Sequence, residues 1–186
     1  MHRRTFLISS AAALAAPAIA RAANASTLTF VPQADLAVLD PVWTTTYQTR
    51  DHGFLVYDTL FGLDSSYKPQ PQMAEGAVSD NDGKAWRITL RDGLAFHDGS
   101  KVLARDCVAS IKRWGARDAF GQALMAATDE IAAPDDKTIQ FRLKHPFALL
   151  PDALAKTPPN MCPIMPERLA SAAGIGRHRL RSAVPC

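Results

Sequence analysis

Apolar and polar residues alternate along two stretches in the middle of the chain, residues 85–90 and 138–143. A period of two predicts strands with one buried face and one wet face. Each run follows turn chemistry, Asp80-Asn81-Asp82-Gly83 in one case and Asp135-Asp136-Lys137 in the other. Two β-hairpins are therefore predicted, and their first strands lie at 76–79 and 131–134.

Other stretches follow the period of a helix. In residues 101–114 the apolar residues recur every three or four positions, which predicts an amphipathic helix. A partial stripe predicts a helix within 45–60, with Thr44 or Thr45 as its cap. Shorter helices are predicted over 118–127, over 147–154 and from Pro166, which would be the first helical residue.

Two segments are predicted to be extended. Residues 27–31 are rich in β-formers and end at Pro32, which predicts a first strand. Residues 68–72 contain two prolines, each of which removes a backbone donor, so a connector is expected there rather than a strand. Hairpins and helices mix without a strict βαβ repeat, and the predicted fold class is mixed α/β (α+β).

Composition and charge narrow the class of protein. The 186 residues are 47% hydrophobic and 21% charged, which excludes disordered, collagen-like and coiled-coil proteins. The length permits one domain, or a domain with a piece of another. The net charge of +3 comes from six arginines near the two ends, because residues 23–176 carry 15 basic and 18 acidic side chains. No basic face for a nucleic acid is expected.

The N-terminus has the pattern of an export signal. Arg3 and Arg4 precede an uncharged stretch over 5–20, and Ala20 and Ala22 frame a small-x-small cleavage site. Cleavage after Ala22 would release a soluble periplasmic chain. The apolar run is short for a bilayer about 30 Å thick, so a transmembrane anchor is the weaker interpretation.

The residues Arg3-Arg4-Thr5-Phe6-Leu7 also resemble a twin-arginine motif, which directs folded proteins across the membrane. A general secretory signal with two adjacent arginines remains the alternative.

No residue cluster predicts catalysis or a cofactor. The three cysteines allow at most one disulfide, and free or buried thiols are favoured at Cys107, Cys162 and Cys186. No C-x-x-C pair occurs and the five histidines are scattered, so no metal or redox site is predicted. The pair His97-Asp98 lacks a nucleophile at a recognisable spacing and is ordinary turn chemistry.

A series of motifs, in order, resembles the extracytoplasmic solute-binding proteins, family 5, of peptide-type ABC importers. The resemblance covers about residues 27–170. The motifs are Tyr57-Asp58-Thr59-Leu60, Pro71-Gln72-Met73-Ala74-Glu75, Asp82-Gly83-Lys84, the runs over 90–99 and 102–113, and residues 134–143.

The resemblance implies a non-catalytic, monomeric binding protein with a class II periplasmic-binding-protein fold. Members close two lobes on a peptide or another small solute and deliver it to an inner-membrane ABC permease. They need no cofactor for this role.

The resemblance also implies a division of the chain into segments. The expected segments are a signal peptide at 1–22, a first-lobe strand and lead-in at 23–44, an accessory domain at 45–158 and a return segment toward the first lobe at 159–172. Residues 173–186 depart from the family pattern and look like an out-of-frame or truncated tail.

Ligand contacts are expected first at Gln33, Ala34 and Asp35, which follow the predicted first strand where family members approach the cleft. Asn160 and Met161, before the return segment, are weaker candidates. A plain surface loop is the alternative for residues 33–35.

Three functional hypotheses follow. The first is the periplasmic binding component of an ABC importer, represented by its N-terminal part. The second is a non-functional remnant of such a protein. The third, a small exported enzyme, has no support from the residues.

Overall fold

A computed structural model describes residues 29–157 and 160–172. Residues 32–172, within this range, belong to one compact unit, and residues 29–31 belong to a separate N-terminal unit. The helices are α1 (Tyr47–Val56), α2 (Ala104–Gly115), α3 (Ala119–Ala127), α4 (Leu150–Ala155) and α5 (Glu167–Ala170). The strands are β1 (Phe61–Leu63), β2 (Pro69–Pro71), β3 (Ala74–Asp80), β4 (Ala85–Leu90), β5 (Thr128–Ala132) and β6 (Thr138–Leu143).

Both predicted hairpins form and combine into one antiparallel sheet with the strand order β3-β4-β6-β5. Trp86 pairs with Phe141 and Ile88 pairs with Ile139, so the apolar positions of the two central strands lie on the same face. The β3-β4 turn has positive φ at Asn81, a residue type that tolerates this conformation. The alternation in the sequence therefore predicted both hairpins correctly, while their joining into one sheet was not predicted.

The buried face of the sheet packs against α2, which contacts β5 and β6. Trp114 and Ile111 of α2 are fully buried, and so are Ile139 and Phe141 of β6. α3 follows after a short turn and is capped by Asp118, whose carboxylate accepts hydrogen bonds from the Phe120 and Gly121 amides. The mixed helix-and-sheet class is confirmed.

The segment at 68–72 differs from the prediction. Residues Pro69–Pro71 form β2, which pairs with β1 in a separate two-stranded sheet. Proline is tolerated because a strand at an edge needs donors on one side only. Lys68 O accepts from the Asp64 amide and the Gln72 amide donates to Leu60 O, so residues flanking the prolines make these bonds.

The predicted first strand is wrong for its described part. Residues 29–31 belong to no strand, and Phe30 and Val31 are exposed. A strand is defined by a hydrogen-bonded neighbour, which a short sequence pattern does not specify. Residues 27 and 28 lie outside the described residues.

Several helix ends shift from their predicted positions. α1 is shorter than the predicted 45–60, and its N-cap is Thr46 rather than Thr44 or Thr45. α4 begins three residues later than predicted, and Pro166 is the N-cap of α5 rather than its first residue. Element ends are the part of a pattern that sequence fixes least well.

Candidate functional site

Residues 38–44, helix α2 and residues 160–167 meet at one junction. Arg113, near the end of α2, forms a bidentate ion pair with Asp40. Its Nη1 lies 3.1 Å from Asp40 Oδ1, and its Nη2 contacts Asp40 Oδ2. Both side chains are largely buried, 14% and 13% exposed. Asp40 also accepts a hydrogen bond from the Val42 amide. The pair therefore fixes the 40–44 segment to α2.

Asn160 links residues 41–44 to the segment that follows α4. Its Nδ2 donates to Pro41 O at 2.9 Å and lies 3.4 Å from Val42 O. Its backbone oxygen accepts from Trp114 Nε1 at 3.2 Å. Asn160 is buried, and these bonds satisfy polar groups that water cannot reach.

Residues 165–167 run along α2 and are held by two polar side chains of that helix. The Met165 amide donates to Ser110 Oγ at 3.0 Å, and the Glu167 amide donates to Asp106 Oδ1 at 2.8 Å. Asp106 Oδ2 also accepts from the Leu103 amide at the start of the helix. The polar positions of α2 at 106, 110 and 113 thus have structural partners within the chain.

A groove with a volume of about 770 Å³ opens beside the outer side of α2. Its lining includes several small side chains, among them Ala109, Ala116 and Ala132. Its other lining residues are Trp43, Arg105, Val108, Lys112, Arg113, Arg117, Ile131, Ala133, Glu167, Ala170, Ser171 and Ala172.

The groove has a positive lining, with four basic side chains and one acidic side chain. Arg113 is neutralised by Asp40, and Arg105 lies 3.8 Å from Glu167. The Arg117 guanidinium stacks 4.3 Å from the centre of the Trp43 ring and donates to Trp43 O. The lining is thus more basic than acidic, and one face of the Trp43 ring is covered by Arg117.

The titratable groups near the junction are poorly suited to catalysis. Burial raises the pKa of Cys107 to about 12, and burial also raises the pKa of Cys162. Both thiols are free, as predicted, and remain protonated at neutral pH. Cys186 lies outside the described residues.

The His97-Asp98 pair is part of a turn, as expected. Two hydrogen bonds from Ser100 lower the pKa of Asp98 to about 2. The bond from the Ser100 hydroxyl has the larger effect, and the bond from the Ser100 amide has the smaller one. Asp98 also pairs with Arg168, and His97 Nε2 lies 3.0 Å from Val56 O. The carboxylate is thus engaged by partners other than the imidazole.

Gln33, Ala34 and Asp35 lie in an exposed, bent segment, and Asp35 O accepts from the Ala37 amide at 3.0 Å. They do not line the groove. Their role as ligand contacts stays a prediction.

Asn160 and Met161 are both buried, and neither lines the groove. Asn160 binds the 41–44 segment, and Met161 lies close to Gly53 of α1. The structure gives them positions inside the junction, while ligand contact there stays a prediction. The signal residues Arg3, Arg4, Ala20 and Ala22 lie outside the described residues.

Sequence analysis did not identify the Asp40–Arg113 pair or the groove. Leu39-Asp40-Pro41 has the composition of a chain break, and Arg113 is 73 positions away, so no local pattern links them. The available sequence signal for the pair is Arg113 itself, a basic residue beside buried positions of the amphipathic helix α2.

Among the described residues, no group of three or more His, Cys, Asp or Glu side chains is placed to hold a metal ion. No helix in the same part of the chain is long and apolar enough to cross a membrane.

Comparison with known proteins identifies relatives. At 41% identity over 152 residues, the chain matches a probable peptide ABC transporter periplasmic-binding protein of Sinorhizobium fredii; the match covers 80% of this chain and 28% of that protein. A glutathione-binding protein of Salmonella typhi is 32% identical over 117 residues, which is 61% of this chain and 22% of that protein. The chain thus spans about a quarter of the length of these relatives.

Solved structures share the fold. The binding protein for agropinic acid from Agrobacterium tumefaciens R10 is 27% identical with a TM-score of 0.60, over 73% of this chain and 27% of that one. The Haemophilus influenzae protein OppA, solved in complex with RPPGFSPFR, is 20% identical with a TM-score of 0.60, over 72% of this chain and 29% of that one. The second likeness is one of fold.

The sequence model of the bacterial extracellular solute-binding proteins, family 5, matches residues 68–175, more than half of the chain. Members of this family are extracytoplasmic substrate-binding proteins rather than enzymes. The chain belongs to family 5 of the bacterial extracellular solute-binding proteins.

Proposed function

We propose that the chain forms part of the substrate-binding component of an ABC importer and that its solute is a peptide or a related small molecule. The observation that carries this proposal is the family match over residues 68–175. The name of the Sinorhizobium relative supports peptides as the solute, and that of the Salmonella relative supports a small peptide-like thiol.

The proposed role is capture and release without a covalent step, so the chain needs no cofactor. The raised pKa of Cys107 and Cys162 supports this role, because protonated, buried thiols are weak nucleophiles.

Gln33, Ala34 and Asp35 are the proposed ligand contacts. Their segment is exposed and follows residues 29–31, which form no strand among the described residues, so its backbone can bond to an extended peptide. Asn160 and Met161 stay candidate contacts. The Asn160 amide holds the 41–44 segment, and Met161 lies close to Gly53 of α1.

We further propose that the chain is exported to the periplasm. Arg3, Arg4, Ala20 and Ala22 would form the signal, by the twin-arginine or the general secretory route. The proposed partners are the solute and an inner-membrane ABC permease, and the mature chain would act as a monomer.

Thermal unfolding with added ligands tests which class of solute the protein binds. The 186-residue chain and a fusion of this chain to the C-terminal part of the Sinorhizobium relative would be heated with dipeptides, oligopeptides and glutathione. A ligand that binds only the native protein stabilises it by about 2.7 kcal/mol at a hundred times its Kd. We expect the fusion's midpoint to rise by several degrees with a peptide.

The matched variants are Asp35→Ala and, on a distant turn, Asp82→Ala. A smaller peptide-induced shift in Asp35→Ala alone would support the proposed contacts. A fusion that unfolds cooperatively but responds to none of the peptides would contradict the proposed solute class.

A further inference from the structure

The groove beside α2 contains an open edge of the four-stranded sheet. β5 is the last strand in the order β3-β4-β6-β5, so among the described strands it has a neighbour on one side only. Ile131, Ala132 and Ala133, at the end of this strand, line the groove. An extended peptide can add to such an edge as a further strand.

The rest of the described chain does not pair with this edge. In residues 29–157 and 160–172, the backbone hydrogen bonds outside helices and strands include none from residues 131–133. In an antiparallel ladder such as that of β5 and β6, alternate residues direct their N–H and C=O groups away from the partner strand. The edge beside the groove thus presents unpaired backbone groups.

Small side chains on both sides of the groove leave room for another backbone. Ala132 and Ala133 lie on the strand side, and Ala109 and Ala116 lie on the α2 side. An alanine side chain extends only one carbon from its own backbone, so a neighbouring chain can approach closely. The volume of about 770 Å³ is within the range of about 300–1,000 Å³ that is typical of ligand pockets.

The groove also has an excess of positive charge. Two of its four basic side chains are paired with acidic residues, one with Asp40 and one with Glu167. Lys112 is exposed, and neither Lys112 nor Arg117 forms any of the ion pairs among the described residues. These two side chains favour a ligand that carries carboxylates.

We propose that the groove binds an extended acidic peptide segment, which adds as a strand to the outer edge of β5 and directs its carboxylates toward Lys112 and Arg117. Main-chain hydrogen bonds supply the affinity in this mode of binding. Acidic residues at every second position all lie on one side of the added strand. The proposed solute contacts at 33–35 do not line the groove, so the inference does not depend on the importer's solute.

Two other occupants complement the groove less well. A second copy of the chain would pair its own β5 with this edge, but Asp129 and Glu130 of that strand already share Arg142. Residues 173–186 follow the last described residue of the groove, and they carry three arginines and no acidic side chain. Neither occupant brings an unpaired carboxylate side chain to the groove.

Binding of a fluorescent peptide to the 186-residue chain tests the proposal. The probe has four Thr-Glu repeats, and fluorescence anisotropy measures its Kd. We expect a peptide of four Thr-Lys repeats, which reverses the charge, to bind at least tenfold more weakly. A peptide of four Pro-Glu repeats keeps the charge but lacks alternate backbone donors, so we expect a similar loss.

Two charge reversals test the position of the site. Lys112→Glu, in the groove, should weaken binding of the Thr-Glu probe at least tenfold. Lys84→Glu makes the same change at an exposed position outside the groove and should leave the Kd within about a factor of two. Lys112→Gln removes the charge without reversing it, and it should weaken binding by about threefold if Lys112→Glu does not fold.

Amide hydrogen exchange tests which edge of the sheet the peptide uses. We expect the Thr-Glu probe to slow exchange over residues 128–133. Exchange over residues 74–80, in β3 at the opposite edge of the sheet, should not change. Slower exchange over 74–80 with none over 128–133 would overturn the proposal.

Several binding results would also overturn the proposal. These are no binding of the Thr-Glu probe, equal binding of the Thr-Lys or Pro-Glu peptide, and equal effects of Lys112→Glu and Lys84→Glu. A homodimer that Lys112→Glu converts to a monomer would assign the groove to a second copy. Probe binding that appears only after removal of residues 173–186 would assign it to that segment. None of these results changes the expected response of the fusion to its solute, so failure of this proposal and failure of the proposed function are distinguishable.

Discussion

The regions around α2 and α1 differ in the size of the side chains that they bury. α2 turns Trp114 and Ile111 inward onto a sheet whose apolar positions alternate in register, and its polar positions find partners in the same chain. α1 turns Thr49 and Gly53 inward and leaves Leu55 exposed.

The two helices therefore contribute differently to the stability of the described residues. The α2 region buries apolar area on both sides of its interface, so its residues contribute to stability directly. The outer side of α1 buries little apolar area in the described residues, so its large side chains contribute little there. Substitutions can test this contrast.

The largest effect is expected for Phe141→Ala. Phe141 is fully buried on β6, and deleting a buried aromatic ring costs about 3–5 kcal/mol. Leu55→Ala, on the exposed side of α1, should change the free energy of unfolding by less than about 0.5 kcal/mol. Urea unfolding of the 186-residue chain measures both, and comparable losses would show that the exposed side of α1 is already packed.

The next effect concerns the Asp40–Arg113 pair. Arg113→Met leaves a largely buried carboxylate without its partner, so we expect a loss of about 3 kcal/mol. Arg168→Met removes an exposed partner of Asp98 and should cost less than about 1 kcal/mol.

The double variant Arg113→Met with Asp40→Leu distinguishes an ion pair from simple packing. Recovery of stability relative to Arg113→Met would indicate that the unpaired charge causes the loss. Additive losses would show that the two side chains contribute independently.

The same contrast explains how much of the fold the sequence predicts. The sheet and α2 follow from patterns of period two and near 3.6 because each element buries one face within this chain. The strand predicted at 27–31 is wrong over residues 29–31, because a strand depends on a hydrogen-bonded neighbour that a five-residue pattern does not specify. The connector predicted at 68–72 became β2 because pairing at an edge tolerates proline.

The candidate site was less predictable than the fold. The family resemblance makes Asn160 a candidate ligand contact, but its side-chain amide donates to Pro41 O, 119 positions away. Such a contact depends on how segments cross in space, which local periodicity does not encode. Gln33 and Asp35 lie on an exposed segment, so neither their burial nor their hydrogen bonds indicate a ligand contact.

A smaller effect is expected where α2 and α3 approach closely. A Cβ on Gly121 would lie 2.8 Å from Gly115 Cα and 2.9 Å from Trp114 Cε3, so Gly121→Ala should destabilise the chain by about 1–3 kcal/mol. At Gly76 no atom lies within 4 Å of the corresponding position, so Gly76→Ala should be neutral or slightly stabilising. Thermal unfolding compares the two, and equal midpoints would contradict the close packing.

The smallest effect is a dependence of stability on alkaline pH. Burial holds the pKa of Cys107 at about 12, against an ordinary value of 9.0. Above pH 9.0 the unfolded thiol loses its proton while the native one keeps it, so the stability contributed by the neutral thiol is complete below 9.0 and declines up to about 12.

Between about pH 8 and about pH 10 this thiol should lower the free energy of unfolding by about 1 kcal/mol. Cys107→Ala should remove that part of the decline, whereas Val108→Ala, on the same helix, should lower stability by a similar amount at both pH values. Urea titrations at the two pH values give the comparison. Identical pH slopes for Cys107→Ala and the natural chain would mean that the thiol is reached by water in the native state, and the α2 region would then be more open than its packing indicates.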